Sequence, residues 1–320
     1  MSRGRGETSV PTAASRGEQR ARISMGPVLF NWDAEVLRDF YFRLADEEAV
    51  NIVYLGEVVC PKRIPFSREV LAEAAERLQE AGKEVVFSTL ALVMDERDLG
   101  HVRAVSEAQG ILVEANDLSA VEYLRGRRFI VGPFLNVYHE ATLSRFMRDG
   151  AVRLCLAPEL DRPRIAALSM VEGVEFEIQV FGRLPLALSA RCYHARAYDL
   201  HKDNCQFVCG RDPDGMEVTT LAGESFVCVN GIQTMSTGYN ELASAAHELR
   251  EMGVGIFRLS PQRCDMIAIA RAWRDLLDGR IDAGECRARL KKIVPGRRFT
   301  NGFFYGKPGM TDIGEHQGCA

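Results

Sequence analysis

The sequence predicts an α/β protein built as a (β/α)8 barrel of the TIM type, with one long insertion that carries cysteines. Eight short, β-branched segments alternate with longer amphipathic runs along most of the 320 residues. Eight such units in one chain favour a closed parallel barrel over an open doubly wound sheet. No G-x-G-x-x-G motif follows an early strand, which argues against a dinucleotide-binding fold.

The strands are predicted where apolar and β-branched residues cluster in runs of five to eight. In chain order they are Val28–Trp32, Asn51–Leu55, Glu84–Thr89, Gly110–Glu114, Phe129–Phe134, Val152–Ala157, Val174–Phe181 and Gly255–Ser260. The clearest helix between them follows strand 2, with Ser67 as its predicted N-cap and Gly82 as the residue that ends it. Together these elements form a predicted barrel domain over residues 25–294.

The spacing of the elements is regular except after strand 7. This strand ends near Phe181, and the next clear helix begins near Asn240, so residues 182–240 form an unusually long connection. Long βα connections are usually functional. Three cysteines, Cys192, Cys205 and Cys209, lie inside this one.

A fourth cysteine, Cys60, comes immediately after strand 2. The βα connections of a barrel meet at its C-terminal face, so we expect Cys60 to lie near the other three thiols. Four thiolates bind either a tetrahedral zinc ion or a [4Fe–4S] cluster. Structural zinc sites favour two closely spaced cysteine pairs, and here only Cys205 and Cys209 are close in sequence. The spacing favours a cluster, while zinc and unligated or catalytic thiols stay open.

The remaining five of the nine cysteines are not predicted to be ligands. Cys155 and Cys228 lie in apolar, strand-like runs and are predicted to pack in the core. Cys286 and Cys319 receive no role, and Cys264 is left without an assignment. Disulfides are not expected, because the chain shows no sign of secretion.

Composition limits the possible partners and location. The net charge of −4 provides no general attraction to nucleic acid. No run of eighteen apolar residues predicts a membrane span, and a cytoplasmic location is expected. Residues 1–24 contain five arginines and lack the apolar centre of a signal peptide. We predict a disordered basic leader there, in preference to an RNA-binding arm.

Polar residues at or just beyond strand ends are predicted to share the barrel mouth with the four thiols. They are Asn31, Glu57, Glu114, Glu159, Arg191 and Arg258. Carboxylates and arginines of this kind suit a small anionic substrate or proton handling, and Glu57, Arg191 and Arg258 are the predicted catalytic residues. Of the two histidines between the cysteines, His194 and His201, both are predicted to be solvated, and neither is predicted as a ligand or proton donor.

The segment "FEIQVFGRLPLALSARCYHARAYDLHKDNCQFVC" resembles the signature of the U32 peptidase (collagenase-like) family. Four further segments, "GPVLFNW", "YLGEVVCPKR", "FSTLALVMDERDL" and "NGFFYGKPGM", are similar to the branch of that family that acts in ubiquinone biosynthesis. The resemblance runs from about Gly26 to Met310, and all four cysteines of the family find a counterpart in this chain.

The resemblance implies a [4Fe–4S] cluster on Cys60, Cys192, Cys205 and Cys209. It also implies an oxygen-independent hydroxylation of ubiquinone precursors under anaerobic conditions. Expected partners are a UbiU-like paralogue in a heterodimer and a UbiT-like lipid carrier, with prephenate as a candidate oxygen donor. The alternatives are a metal-bound scaffold without its own catalysis, and a U32-type peptidase or a relative that hydroxylates RNA. The aromatic tail, within residues 295–320, is expected to pack on the barrel or on the partner.

Overall fold

A computed structural model describes residues 20–314 and confirms the predicted (β/α)8 barrel. Eight parallel strands form its wall, and the last pairs in parallel with both the first and the seventh, which closes the barrel. The strands are β1 (Arg22–Met25), β2 (Ile52–Leu55), β3 (Glu84–Ser88), β4 (Leu112–Ala115), β5 (Phe129–Val131), β6 (Ala151–Cys155), β7 (Glu175–Leu188) and β11 (Ile256–Leu259). Seven of the eight predicted strands overlap observed ones.

Helices alternate with the strands and cover the outside of the barrel. They are α1 (Ala34–Ala45), α2 (Ile64–Glu80), α3 (Glu96–Glu107), α4 (Leu118–Leu124), α5 (Glu140–Asp149), α6 (Arg162–Ser169), α7 (Tyr193–Ala197), α8 (Ala246–Glu251), α9 (Met266–Leu277) and α10 (Ala283–Ile293). Several begin at an aspartate whose carboxylate accepts backbone N–H groups of the first turn, as at Asp95 and Asp161. None of the helices in residues 20–314 is long and apolar enough to cross a membrane.

The predicted limits of α2 are right at one end only. The turn Pro61–Arg63 leads directly into the helix, so the helix begins at Ile64 and the predicted N-cap at Ser67 is wrong. The Ser67 hydroxyl instead donates to the Ile64 carbonyl at 3.5 Å. At the other end, Gly82 follows the last turn with φ of +75°, a conformation that favours glycine, as predicted.

The first strand was predicted in the wrong place. Residues Arg22–Met25 form β1, with Ile23 and Met25 fully buried, so the strand begins inside the segment predicted as a leader. The run predicted as strand 1, Val28–Trp32, follows β1 as a connection. Its Leu29 and Phe30 are buried because they pack with residues of the connection after β2 rather than in the wall. The part of the predicted leader before residue 20 lies outside the described residues.

The long insertion after β7 contains an antiparallel sheet as well as an irregular connection. Strands β8 (Met216–Thr219), β9 (Ser225–Asn230) and β10 (Gln233–Glu241) extend the wall in the order β7-β10-β9-β8. Strand β7 runs seven residues past the predicted end. At Gly182, just past the predicted end, the backbone packs so closely that a Cβ would lie 2.7 Å from the Ser260 carbonyl oxygen, which favours glycine. Residues 189–215, which carry three cysteines, connect β7 to β8.

The tail packs against the barrel over its described length. Strand β12 (Phe299–Thr300) pairs with β10, and Phe299 and Phe304 are buried. The Phe304 carbonyl accepts a hydrogen bond from the Arg162 amide at 2.9 Å. Residues 315–320, including Cys319, lie outside the described residues.

The barrel interior holds a buried ionic network. Arg258 donates to Glu114 at 2.6 Å and to Glu177 at 2.8 Å, and its guanidinium lies 4.1 Å from the centre of the Tyr54 ring. Glu177 also accepts from the Ser24 hydroxyl at 2.5 Å. Burial alone would raise the pKa of Glu177, but nearby arginines lower it below its usual value. The charges compensate one another in the interior.

Replacing Arg258 with Ala should destabilise the barrel strongly. Glu114 and Glu177 would remain buried without their cation, and breaking such a pair costs about 3–5 kcal/mol. Urea denaturation measures the change. Arg103→Ala is the matched control, because Arg103 pairs with Glu107 on the exposed face of α3 and should change the free energy of unfolding very little. Equal effects of the two substitutions would contradict this role for Arg258.

Candidate functional site

All four cysteines predicted as ligands line one small recess, which we call the thiol cavity. These residues are Cys60, Cys192, Cys205 and Cys209. Cys60 comes from the connection after β2, the other three come from the segment between β7 and β8, and Gly231 and Ile232 of the β9–β10 turn complete the wall. The eight cysteines within residues 20–314 are all free thiols.

The backbone around Cys60 is held by the Glu57 carboxylate. This buried side chain accepts the amide N–H groups of Val59 at 2.8 Å and Cys60 at 2.9 Å. Burial raises the pKa of the Cys60 thiol to about 11, with Arg63 opposing the shift and Glu57 adding to it. The free thiol is therefore neutral near pH 7, and ligation of a metal would release its proton.

Arg63 places a positive charge in the wall of the thiol cavity. Its guanidinium is 3% exposed, and donates to the Leu29 carbonyl at 2.8 Å and to the Asn230 side-chain oxygen at 3.0 Å. Burial lowers the pKa of Arg63, but Glu57, Cys209 and Cys60 raise it further than burial lowers it. Its Nε is buried with no hydrogen-bond partner among the described atoms. The guanidinium therefore has one donor left for a further hydrogen bond.

Cys205 and Cys209 lie on a segment with an uncommon backbone conformation. Between them, Gln206 and Phe207 both have left-handed φ angles, of 49° and 53°. Such angles cost free energy in non-glycine residues, and are retained where surrounding contacts or a function require them. The Phe207 ring packs edge-on against Phe66 on α2, with 4.7 Å between ring centres.

Cys192 caps the short helix α7, and Lys62 bonds to the turn before Cys205. The Cys192 sulfur accepts the Ala195 amide at 3.4 Å, in the first turn of α7. The Lys62 ammonium donates to the Lys202 carbonyl at 2.6 Å. The connection after β2 is thereby bonded to the turn that precedes Cys205.

The prediction that both histidines are solvated is wrong for His194. This ring is fully buried, its Nε2 lies 2.8 Å from the Asp212 carboxylate, and its Nδ1 accepts from the Gly231 amide at 3.5 Å. Burial lowers the pKa of His194, so the ring is neutral. The Tyr198 hydroxyl also donates to Asp212, at 3.0 Å. His194 thus bonds α7 to the segment after Cys209, whereas His201 is exposed.

The thiols share a cavity, but they do not meet at one point. Within residues 20–314, no three His, Cys, Asp or Glu side chains are grouped closely enough to hold a metal ion. A tetrahedral zinc site requires four sulfurs within about 2.3 Å of the metal. A cubane takes its ligands at the corners of a larger body. The donor chemistry of the four thiols fits an iron–sulfur cluster, and it also fits zinc.

The three predicted catalytic residues do not lie together. Glu57 orders the connection that bears Cys60, Arg258 is enclosed in the barrel interior, and Arg191 is exposed. Arg191 lines an open recess of about 460 Å³, the basic cleft, which it shares with Arg196, Lys202 and Cys192. The catalytic roles of these three residues stay predictions.

The other predicted mouth residues are also dispersed. Glu114 is bonded to Arg258, while Glu159 is exposed and accepts a hydrogen bond from Tyr138. Asn31 packs closely against Gly210, where a Cβ would lie 3.2 Å from the Asn31 side-chain nitrogen. Arg63 was not among the predicted site residues, although a basic residue three positions after a predicted ligand cysteine is a usable signal for a compensating charge.

Comparison with known proteins finds one matching sequence family and several solved structures of low sequence identity. The model of a family described as "Peptidase family U32" matches residues 32–314. A DAHP synthase from Thermotoga maritima is 12% identical, with a TM-score of 0.41 over 87% of this chain and 71% of that one. Tryptophan synthase from M. tuberculosis is also 12% identical, with a TM-score of 0.36 over 87% of this chain and 96% of that one. At these values, neither structural likeness bears on activity.

Replacing Arg63 with Lys should destabilise the protein even though the charge is kept. A lysine ammonium does not reproduce the planar guanidinium that reaches both Leu29 and Asn230. We expect a loss of about 1–3 kcal/mol, the usual cost of an unsatisfied buried polar group, in urea denaturation of the metal-free protein. Arg196→Lys, on the exposed side of α7, is the matched control. Equal stability of the Arg63→Lys and wild-type proteins would show that Arg63 does not hold the cavity together.

Proposed function

Because the chain belongs to the peptidase U32 family, we propose that it is an iron–sulfur subunit of an oxygen-independent hydroxylation system that acts on ubiquinone precursors. In this proposal the chain resembles UbiV, the ubiquinone-biosynthesis member of that family. The observation that supports the proposal most directly is that Cys60, Cys192, Cys205 and Cys209, distant in sequence, line one cavity. An iron–sulfur cluster that oxygen damages suits a pathway that operates without oxygen.

The residues of the thiol cavity have distinct roles in this proposal. The four cysteines would hold the [4Fe–4S] cluster, which supplies one-electron redox chemistry when bound. Arg63 compensates the negative charge of the thiolates, and Glu57 holds the backbone at Cys60. His194 and Asp212 hold α7 against the segment that follows Cys209. Hydrogen bonds and charges around the ligands of a metal set both their orientation and the properties of the metal.

The charge of the basic cleft suits the binding of an anionic oxygen donor. Arg191, Arg196 and Lys202 line it together with Cys192, and Asp199 is the one carboxylate among its lining residues. A dicarboxylate such as prephenate would bind there by charge, next to a cluster ligand. We further propose that a UbiU-like paralogue forms a heterodimer with this chain, and that a UbiT-like lipid carrier delivers the precursor.

A proteolytic function has less support from the geometry. A thiol nucleophile requires an adjacent base with a free ring nitrogen. His194 lines the thiol cavity, but both its ring nitrogens are engaged, one by Asp212 and the other by the Gly231 amide. A scaffold without its own catalysis remains the alternative that the metal and pathway experiments distinguish.

The cluster proposal predicts a brown protein when the chain is purified without air. Analysis should find about four irons and four sulfides per chain, and air should bleach the colour. Cys192→Ala should lose the iron, because it removes one of four ligands. Cys264→Ala should keep it, since Cys264 lies outside the thiol cavity and serves as the matched control. A colourless wild-type protein with one zinc per chain would contradict the assignment.

The pathway proposal predicts a phenotype that depends on oxygen. Deletion of the gene should abolish ubiquinone in cells grown anaerobically and leave it unchanged in cells grown with air. Quinone extraction followed by liquid chromatography measures both. A plasmid carrying the wild-type gene should restore anaerobic ubiquinone, and one carrying the Cys192→Ala variant should not. Loss of ubiquinone under both conditions would rule out an oxygen-independent role.

A further inference from the structure

A second recess, which we call the apolar pocket, opens beside the C-terminal ends of β5 and β6. Its volume is about 370 Å³, within the roughly 300–1,000 Å³ usual for small-molecule sites. Most of its lining is apolar, from proline rings and from aromatic and aliphatic side chains. These include Pro133, Phe134, Pro158, Pro185, Leu186 and Phe303. A lining of rings and prolines suits the flat face of an aromatic ligand.

The backbone around the apolar pocket fixes two of its aromatic walls. Phe134 lies in the turn Pro133–Leu135, which ends at Asn136 in a left-handed conformation with φ of 51°. Phe303 is held by the tail, because a Cβ at Gly309 would lie 2.4 Å from its ring. Only glycine fits at position 309 with the ring in this place. The tail therefore packs tightly behind Phe303 and fixes this side of the pocket.

Three polar side chains, Asn136, Tyr138 and Glu159, interrupt the apolar lining, and the last two form a hydrogen-bonded pair. The Tyr138 hydroxyl donates to the Glu159 carboxylate, and both residues line the pocket. Burial raises the pKa of Tyr138, and Glu159 raises it further, so the hydroxyl keeps its proton. With that proton engaged, the tyrosine oxygen and the carboxylate offer only acceptor positions to a ligand. Among the described residues of the lining, these two side chains are the only ionisable ones, so the pocket repels an anion and offers acceptors to a neutral hydrogen-bond donor.

We propose that the apolar pocket binds a neutral phenol, with its ring against Phe134 and Phe303 and its hydroxyl donating to Glu159. Two of the lining residues, Phe134 and Leu188, pack against the same apolar cluster as Cys60 and Cys192. The apolar pocket and the thiol cavity thus border the same apolar cluster. The claim that this pocket holds the substrate of the hydroxylation rests on the proposed function. The claim that it binds a phenol does not.

Binding of 2-naphthol to the full chain, measured by isothermal titration calorimetry, tests the proposal. Wild-type protein should bind 2-naphthol at least about tenfold more tightly than 2-naphthoate, because Glu159 repels the carboxylate. Glu159→Gln should reduce this preference. Leu186→Trp should weaken 2-naphthol binding by about tenfold or more by filling the pocket. Leu186 is 45% exposed, so this variant should fold, and its thermal midpoint checks that it does.

Met170→Trp is the matched control, because Met170 is 73% exposed and lies outside the pocket. This variant should bind 2-naphthol as the wild type does. Equal binding by Leu186→Trp and the wild type, a preference for 2-naphthoate, or no binding of 2-naphthol would overturn the proposal. Iron and sulfide measured on the same samples separate the two claims. Loss of phenol binding in iron-loaded protein would overturn only the pocket, while phenol binding in a protein that never acquires iron would overturn only the cluster.

Discussion

The thiol cavity depends on one buried cation, Arg63. Its guanidinium reaches the connection after β1 through Leu29 and the β9–β10 hairpin through Asn230, while its own backbone continues from Cys60. A buried charge is costly unless it is paired and hydrogen-bonded. The hydrogen bonds of Arg63 therefore hold these three segments in place relative to one another. The connection after β7 is then bonded to the same assembly through Lys62 and through the contact of His194 with Gly231.

The barrel places the proposed binding sites around the end of one strand. Leu188, the last residue of β7, lines the apolar pocket, and Cys192 lines both the thiol cavity and the basic cleft. The five-residue stretch from Leu188 to Cys192 thus contributes to the walls of all three recesses. In the proposed function, an anionic oxygen donor in the cleft and a phenol in the pocket would both lie beside the thiols. The ionic network around Arg258 lies below them and has a structural role in the interior.

The barrel could be predicted from the sequence because seven of the eight wall strands carry a local signal. Strand β1 was misplaced because Arg22–Met25 directly follows a segment rich in arginine, while the more apolar run after it packs at the barrel end. The grouping of the four cysteines also followed from topology, since parallel strands end at the same face. Topology did not predict the antiparallel extension, the burial of His194 or the role of Arg63. These features depend on contacts between residues far apart in the chain. Glu57 and Arg258 were expected at an open mouth, but both are buried. Glu57 is held by backbone amides two and three residues away, whereas Arg258 is paired with carboxylates far away in the chain.

The central claim is that four thiols of this chain hold one cluster, and native mass spectrometry under anaerobic conditions tests it most directly. The account predicts that the intact wild-type chain carries the added mass of four irons and four sulfides, less the protons of the thiols that bind them. A chain that carries a single zinc ion, or one that takes up no iron after anaerobic reconstitution with iron and sulfide, would contradict it.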